Sequence, residues 1–175
     1  MANVRIETAV TEDAIGGIPA PEDQRFFLDR LQRGREYGRA YLALLGSDLV
    51  GCVYLQLDEA EEPELRALLP DTPLIQRLRV FGPHQRQGIG PMLVAAAEHG
   101  ARAEDFGRIA LGVDVDPRRR PGEQQIDLVR FYQNLGYREW PHGLVKTFDD
   151  DEQKDGSWVR RPGLCRIFTK HFRTT

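Results

Sequence analysis

The sequence predicts a mixed α/β domain, and three observations carry that expectation. Stretches with two-residue apolar alternation recur along the chain with stretches of helical spacing. The glycine-rich run HQRQGIGP, His84 to Pro91, joins one kind of stretch to the other. The composition, 41% hydrophobic and 29% charged over 175 residues, is that of a globular chain able to bury one core and short for two, so a single domain over 1–175 is expected.

Each element follows from its residues. In Val4 to Ala9, Val4 and Ile6 alternate with Arg5 and Glu7, as in a strand with one face buried. The loop IGGIPAP breaks the chain ahead of a helix from about Glu22 to Tyr37, which carries Phe27 and Leu31 on one face. Arg39–Leu45 and Leu49–Leu57 are rich in branched and aromatic residues, and the tight turn Gly46-Ser47-Asp48 between them makes a hairpin. The acidic DEAEEPE leads into a short helix around Leu65–Leu69, closed by Pro70 and Pro73, and Leu74–Phe81 is the next strand. From Gly90 to about Phe106, Leu93, Ala96, Ala97 and Gly100 form a stripe small enough for close packing on a sheet. Arg108–Asp116 is a strand, with Ile109, Leu111, Val113 and Val115 facing one way. After a loop holding Pro117, Pro121 and Gly122, a helix presents Leu128, Phe131, Tyr132 and Leu135 on one face and stops at Gly136. Two last strands, Arg138–Lys146 and Leu164–Phe172, flank the polar segment FDDDEQKDGSWVRRPG.

Composition also excludes. A formal net charge of −3 argues against a general nucleic-acid binder. Cys52 and Cys165 are too few for a disulfide framework and lack metal or redox spacing, so they read as buried thiols. His84, His99, His142 and His171 have no metal-ligand spacing, and no metal is expected. No run is long and apolar enough to span a bilayer, and the N-terminus lacks an apolar signal core; a cytoplasmic protein without membrane contact is the expectation.

The glycine-rich run carries the chemistry. Where a strand enters a turn that opens a helix, backbone N–H groups at the helix start lack partners and favour an anion. Gly88 and Gly90 let the backbone approach that anion, and Gln85, Arg86 and Gln87 offer further donors, which suits phosphate. The P-loop and dinucleotide patterns are both absent, since no Lys-Ser or Lys-Thr pair follows Gly90 and position 93 is Leu.

Val80-Phe81-Gly82-Pro83-His84-Gln85-Arg86-Gln87-Gly88-Ile89-Gly90 resembles the acyl-CoA-binding motif of the GNAT N-acetyltransferase superfamily, Q/R-x-x-G-x-G/A after the fourth strand. Phe131-Tyr132-Gln133-Asn134-Leu135-Gly136-Tyr137 resembles its second signature, a tyrosine on a helix ending in L-G-F or L-G-Y. The resemblance implies a mainly antiparallel sheet of about seven strands, splayed at the fourth and fifth, with about four helices. It implies acetyl-CoA as co-substrate, its pyrophosphate on the amides from Arg86 through Gln87, Gly88 and Ile89 to Gly90, with Gln85 beside them, and its pantetheine along Leu78, Arg79 and Val80. Tyr132 would protonate the departing thiolate. A thiol near pKa 8.5 and a tyrosine near 10 make that transfer modestly uphill and feasible. The residue also reads as a core aromatic.

Two departures stand out. Pro91 lacks an N–H, although its fixed φ suits a first helical turn. Gln76-Arg77-Leu78-Arg79-Val80 stands where many small-molecule members carry E-R-L-x-V, and an amide takes no proton. An amine of pKa about 10.4 is neutral roughly once in 2500 molecules at pH 7, so a base or water chain is required. Asp114 is the leading candidate, with Asp58, Glu59 or a water chain as alternatives, and Gln76 would hold substrate or that water.

Asp149-Asp150-Asp151-Glu152 would steer a polycation or is simply a solvated run, and Trp158 would wall the acceptor pocket or pack under the loop. Arg118-Arg119-Arg120 suits the 3′-phosphate of CoA or a solvated turn. The expected activity is direct attack of a small primary amine on acetyl-CoA in a ternary complex. A protein lysine or N-terminus as acceptor, and a non-catalytic acyl-CoA-binding module, stay open; edge strands near the C-terminus allow a homodimer.

Overall fold

The structure, a computed structural model, describes residues 3–117 and 122–173, without the side chains at 123–125, 151 and 152. In chain order the elements are β1 (Val4–Thr8), α1 (Glu12–Ile15), α2 (Pro21–Arg33), β2 (Gly38–Leu45), β3 (Asp48–Gln56), α3 (Pro63–Leu68), β4 (Leu74–Val80), a single 3-10 turn (Gly82–His84), α4 (Ile89–Ala103), β5 (Arg108–Asp114), α5 (Gly122–Asn134), β6 (Arg138–Glu152) and β7 (Trp158–His171). This is a mixed α/β fold of seven strands in the order β1-β2-β3-β4-β5-β7-β6. Two compact units divide the chain: Met1–Asp58 with Pro73–Phe106, and Glu59–Thr72 with Gly107–Thr175.

In the first unit β1 to β4 form an antiparallel meander. The predicted hairpin is β2–β3, with Gly46 at φ +63 in its turn. One face of these strands meets α2, where Phe27 is fully buried and stands edge-on to Phe26 and Tyr54. The small-residue stripe of α4 packs on β2, β3 and β4. Its closeness is measurable at Gly100, where a β-carbon would lie 2.1 Å from the Tyr41 hydroxyl. Helix α2 ends at Arg33, short of the expected Tyr37, because Gly34 adopts φ +111, which no helix accommodates.

In the second unit β7 lies between β5 and β6, antiparallel to both. Ile109, Leu111, Val113, Tyr132, Tyr137, Val145, Ile167 and Phe168 form its core. The polar segment expected to separate the last two strands is mostly strand itself, leaving only residues 153–157 as the connection. Cross-strand charge explains the extension: Asp149 sits opposite Arg161 and Asp150 opposite Arg160. Pro141 is tolerated because β6 ends the strand order and its register with β7 breaks between Glu139 and Leu144.

Candidate functional site

The first unit brings together Gln76, Leu78, Arg79, Val80 and the glycine-rich turn as one strand, turn and helix. Exposure changes along β4: Leu74 and Ile75 are buried, whereas every residue from Gln76 to Phe81 is half-buried. Beyond Phe81 the 3-10 turn leads to Gln85, and the chain then enters left-handed conformation at Arg86 (φ +61) and again at Gly88 (φ +82), the residue that caps α4. Left-handed residues placed between right-handed or extended ones turn successive N–H groups toward one side, a geometry that receives anions.

The amides of Arg86, Gln87, Gly88, Ile89 and Gly90 make no hydrogen bond among the described residues. The positive end of α4 reinforces their attraction for negative charge. Pro91 stands in the first turn of α4, where a missing N–H removes no helical hydrogen bond. The side chains of Gln85 and Gln87 are used differently from the expectation that they would add donors for the anion. Gln85 Nε2 donates to the Val80 carbonyl at 3.1 Å and Gln87 Nε2 to the Pro83 carbonyl at 2.9 Å. They brace the turn, which suits it to a ligand gripped by main-chain nitrogens.

Midway along β4 the strand bulges. Tyr54 pairs with Gln76 and Cys52 with Arg79, so Arg77 and Leu78 together face the single residue Val53. Arg77 holds φ +52, unusual for a residue with a side chain. Gln76 Oε1 is buried and accepts no hydrogen bond from the described residues. Such an acceptor costs free energy unless something donates to it, so a bound N–H or water suits the position.

The second unit carries Tyr132, Asp114 and Trp158. Tyr132 is 7% exposed, near the end of α5, and edge-on to Phe131 and Tyr137. The helix stops as expected: Gly136, at φ +89, donates to the Gln133 carbonyl and Tyr137 to the Tyr132 carbonyl, both at 3.0 Å. That pair of bonds is the Schellman arrangement, and its usual apolar contact is the Tyr132–Tyr137 ring pair. The L-G-Y sequence therefore works locally as a device that fixes the backbone beneath Tyr132.

Asp114 ends β5, and its Oδ1 accepts the Asp116 amide at 2.7 Å, holding the exit from the strand. Trp158 opens β7 opposite Glu152, whereas Asp114 lies opposite Cys165. Seven residues of strand, about 23 Å, separate those two positions along β7. Within the acidic run, Asp150 stands 4.0 Å from Arg160, and both side chains are more than half exposed. Arg118, Arg119 and Arg120 lie outside the described residues. No group of three or more ligating side chains suited to a metal occurs among the described residues. Cys52 is fully buried, and burial pushes its thiol up to about 12; Cys165 is pushed up to about 11 by the same cause, against the Thr147 hydrogen bond. Neither is a nucleophile at neutral pH.

Unbonded amides after the fourth strand and a glycine-capped tyrosine helix further on are the two features that the resemblance to an acyl-transferring α/β family leads one to expect. The chain matches the family model of the Acetyltransferase (GNAT) family over residues 5–137, and it belongs to that family. Solved structures share the fold. A GNAT family acetyltransferase from Elizabethkingia anophelis, with acetyl-CoA bound, is 18% identical with a TM-score of 0.62, over 98% of this chain and 100% of that one. An IAA acetyltransferase from Bacillus cereus is 18% identical at TM-score 0.61, over 97% and 100%. A ribosomal-protein-alanine N-acetyltransferase from Brucella melitensis is 15% identical at TM-score 0.61, over 96% and 99%. No curated protein matches the chain.

Sequence reasoning missed Asp23. Its carboxylate takes hydrogen bonds from both Arg77 and Arg79, beside the Leu78 segment expected to hold pantetheine. An aspartate in the first turn of an amphipathic helix reads as a solvated acid, and only the fold brings the arginines to it.

Proposed function

We propose that the protein is an N-acetyltransferase that moves the acetyl group of acetyl-CoA to the primary amine of a small molecule, by direct attack in a ternary complex. The observation that carries the reading is the run of unbonded amides from Arg86 to Gly90 at the head of α4. Pyrophosphate is the ligand chemistry that such a cradle fits best.

Acetyl-CoA supplies the acyl group as an activated thioester. The half-buried stretch Leu78, Arg79 and Val80 would carry the pantetheine, and an amide of β4 would stabilise negative charge developing on the carbonyl oxygen. The amine nitrogen bonds to the acyl carbon, the carbon–sulfur bond breaks, and Tyr132 gives its proton to the leaving thiolate. The amine's own proton goes to a base. Asp114 keeps that role as a candidate, although its Oδ1 is engaged by the Asp116 amide; a water held by Gln76 Oε1 is the alternative that the buried, unpaired acceptor supports. The proposal includes a cytoplasmic location, where Cys52 and Cys165 stay reduced.

A non-catalytic coenzyme-binding protein is the rival reading, favoured by an amide at Gln76 where a proton acceptor would be useful. Incubation with acetyl-CoA and a panel of amines, following free thiol, separates the two. Release that depends on one amine, with a mass gain of one acetyl group on it, supports transfer; CoA binding without release on any amine supports the rival.

A further inference from the structure

The side chains of one buried charge cluster have no part in that scheme. Asp23 is 3% exposed, in the first turn of α2. Its Oδ1 accepts from Arg77 Nη1 at 3.1 Å and its Oδ2 from Arg79 Nε at 2.9 Å. The two arginines bracket Leu78 within the stretch where β4 sets two residues against one of β3. Arg77 is also the strand residue at φ +52, and its guanidinium lies 5.1 Å from the centre of the Phe26 ring. Helix and bulge are thus joined by one carboxylate.

A side-chain-bearing residue in left-handed conformation relaxes unless its surroundings fix it, and such strain gathers at functional sites. A charge-assisted carboxylate held by two guanidiniums is among the stronger fixings available. We propose that Asp23 is a positioning residue, which grips the bulge on both sides of Leu78 and so sets where the main chain there meets the acyl end of the coenzyme. The inference rests on the coenzyme reading above and adds a named device to it. It divides the coenzyme site into two parts: a phosphate grip at 86–90 that is independent of Asp23, and an acyl-end register that is not.

The test uses two ligands and one rate. Asp23→Asn keeps the shape and removes the charge. 3′-Phospho-ADP carries the phosphates without the pantetheine, and CoA carries both. Fragment affinity should stay within about twofold of the unaltered protein, while CoA loses about tenfold of its advantage over the fragment. With an accepted amine, kcat should fall on the order of 10²-fold, the effect of a misplacement near 1 Å, and Asp23→Glu should recover part of it.

Removing one partner of a buried ion pair threatens folding, so the triple variant Asp23→Asn, Arg77→Gln, Arg79→Gln, which leaves no unpaired buried charge, is measured in parallel. It should show the same split, with fragment binding reporting that it is folded. If the folded variants keep both the CoA advantage and kcat, the positioning role is overturned. If the unaltered protein binds neither probe, the coenzyme reading falls and takes this one with it.

Discussion

Gly88→Ala is the sharpest test of the anion cradle, because a matched control exists in the same unit. Gly88 and Gly46 both hold positive φ, +82 and +63, and a β-carbon at either would meet nothing within 4 Å. Steric clash therefore drops out and only backbone strain remains, about 1–2 kcal/mol for a side-chain-bearing residue in left-handed conformation. For a chain of this size that lowers Tm by roughly 2–8 °C. Both variants should show that loss. Only Gly88 stands among the unbonded amides, so only there does relaxation re-aim N–H groups away from a bound diphosphate. Losing one hydrogen bond to a charged group removes about 1.5–3 kcal/mol of binding, which is roughly a ten- to 150-fold rise in Kd. Calorimetric titration with CoA reads this directly. Gly46→Ala should bind like the unaltered protein, and Gly88→Ala should bind at least about tenfold more weakly. Equal affinities in the two variants would refute the assignment of the cradle to this turn, whatever their melting temperatures.

Four further outcomes are expected. Tyr132→Phe should lower kcat about tenfold or more with acetyl-CoA affinity unchanged, measured by thiol release and titration; an unaltered kcat removes the tyrosine from proton transfer. Cys52 and Cys165, raised by burial to about 12 and about 11, should both resist a thiol reagent at neutral pH and both react once the chain is unfolded. Because the folded values lie above the unfolded ones, ionisation favours the unfolded chain as pH rises past 9, and the stability present below that point is lost progressively up to about 12. Tyr54, pushed up to about 12 chiefly by burial, acts in the same direction, so a denaturant midpoint that does not fall between about pH 8 and 10.5 would contradict the burial of these groups. Phe27→Ala should cost about 3–5 kcal/mol in denaturant unfolding, since the ring is fully buried against Phe26 and Tyr54; a loss below about 1 kcal/mol would place it outside the core.

The parts of the fold that were readable in advance are those whose signals are local. The β2–β3 hairpin announces itself through Gly46-Ser47-Asp48 between two apolar runs, and the end of α5 through Gly136, whose φ of +89 is what a helix stop of that type requires. The misread parts answer to partners elsewhere in the chain. Residues 147–152 are mostly polar and acidic, a pattern that reads as loop, yet they are strand because Arg160 and Arg161 stand opposite Asp150 and Asp149. Polarity alone could not distinguish a solvated loop from a solvated ladder.

The same distinction divides the candidate site. The proposed cradle at 86–90 is written in consecutive residues, since glycine at 88 and a helix start at 89 suffice to leave amides without helical partners. What shapes β4 is not consecutive: Asp23 reaches Arg77 across 54 positions and Arg79 across 56. Local sequence therefore specifies the group that would hold phosphates, and tertiary structure specifies the strand that would hold the thioester. Phosphate binding by main-chain nitrogens tolerates changes of side chain everywhere except at the glycine whose conformation it needs. Placement of a reacting carbonyl tolerates far less, because it depends on a bulge that one carboxylate and two guanidiniums keep from relaxing. Substitutions at Asp23 should consequently spare phosphate binding and damage turnover, whereas substitution at Gly88 should damage binding first, and this opposite ordering of effects is what the two-part construction of the site entails.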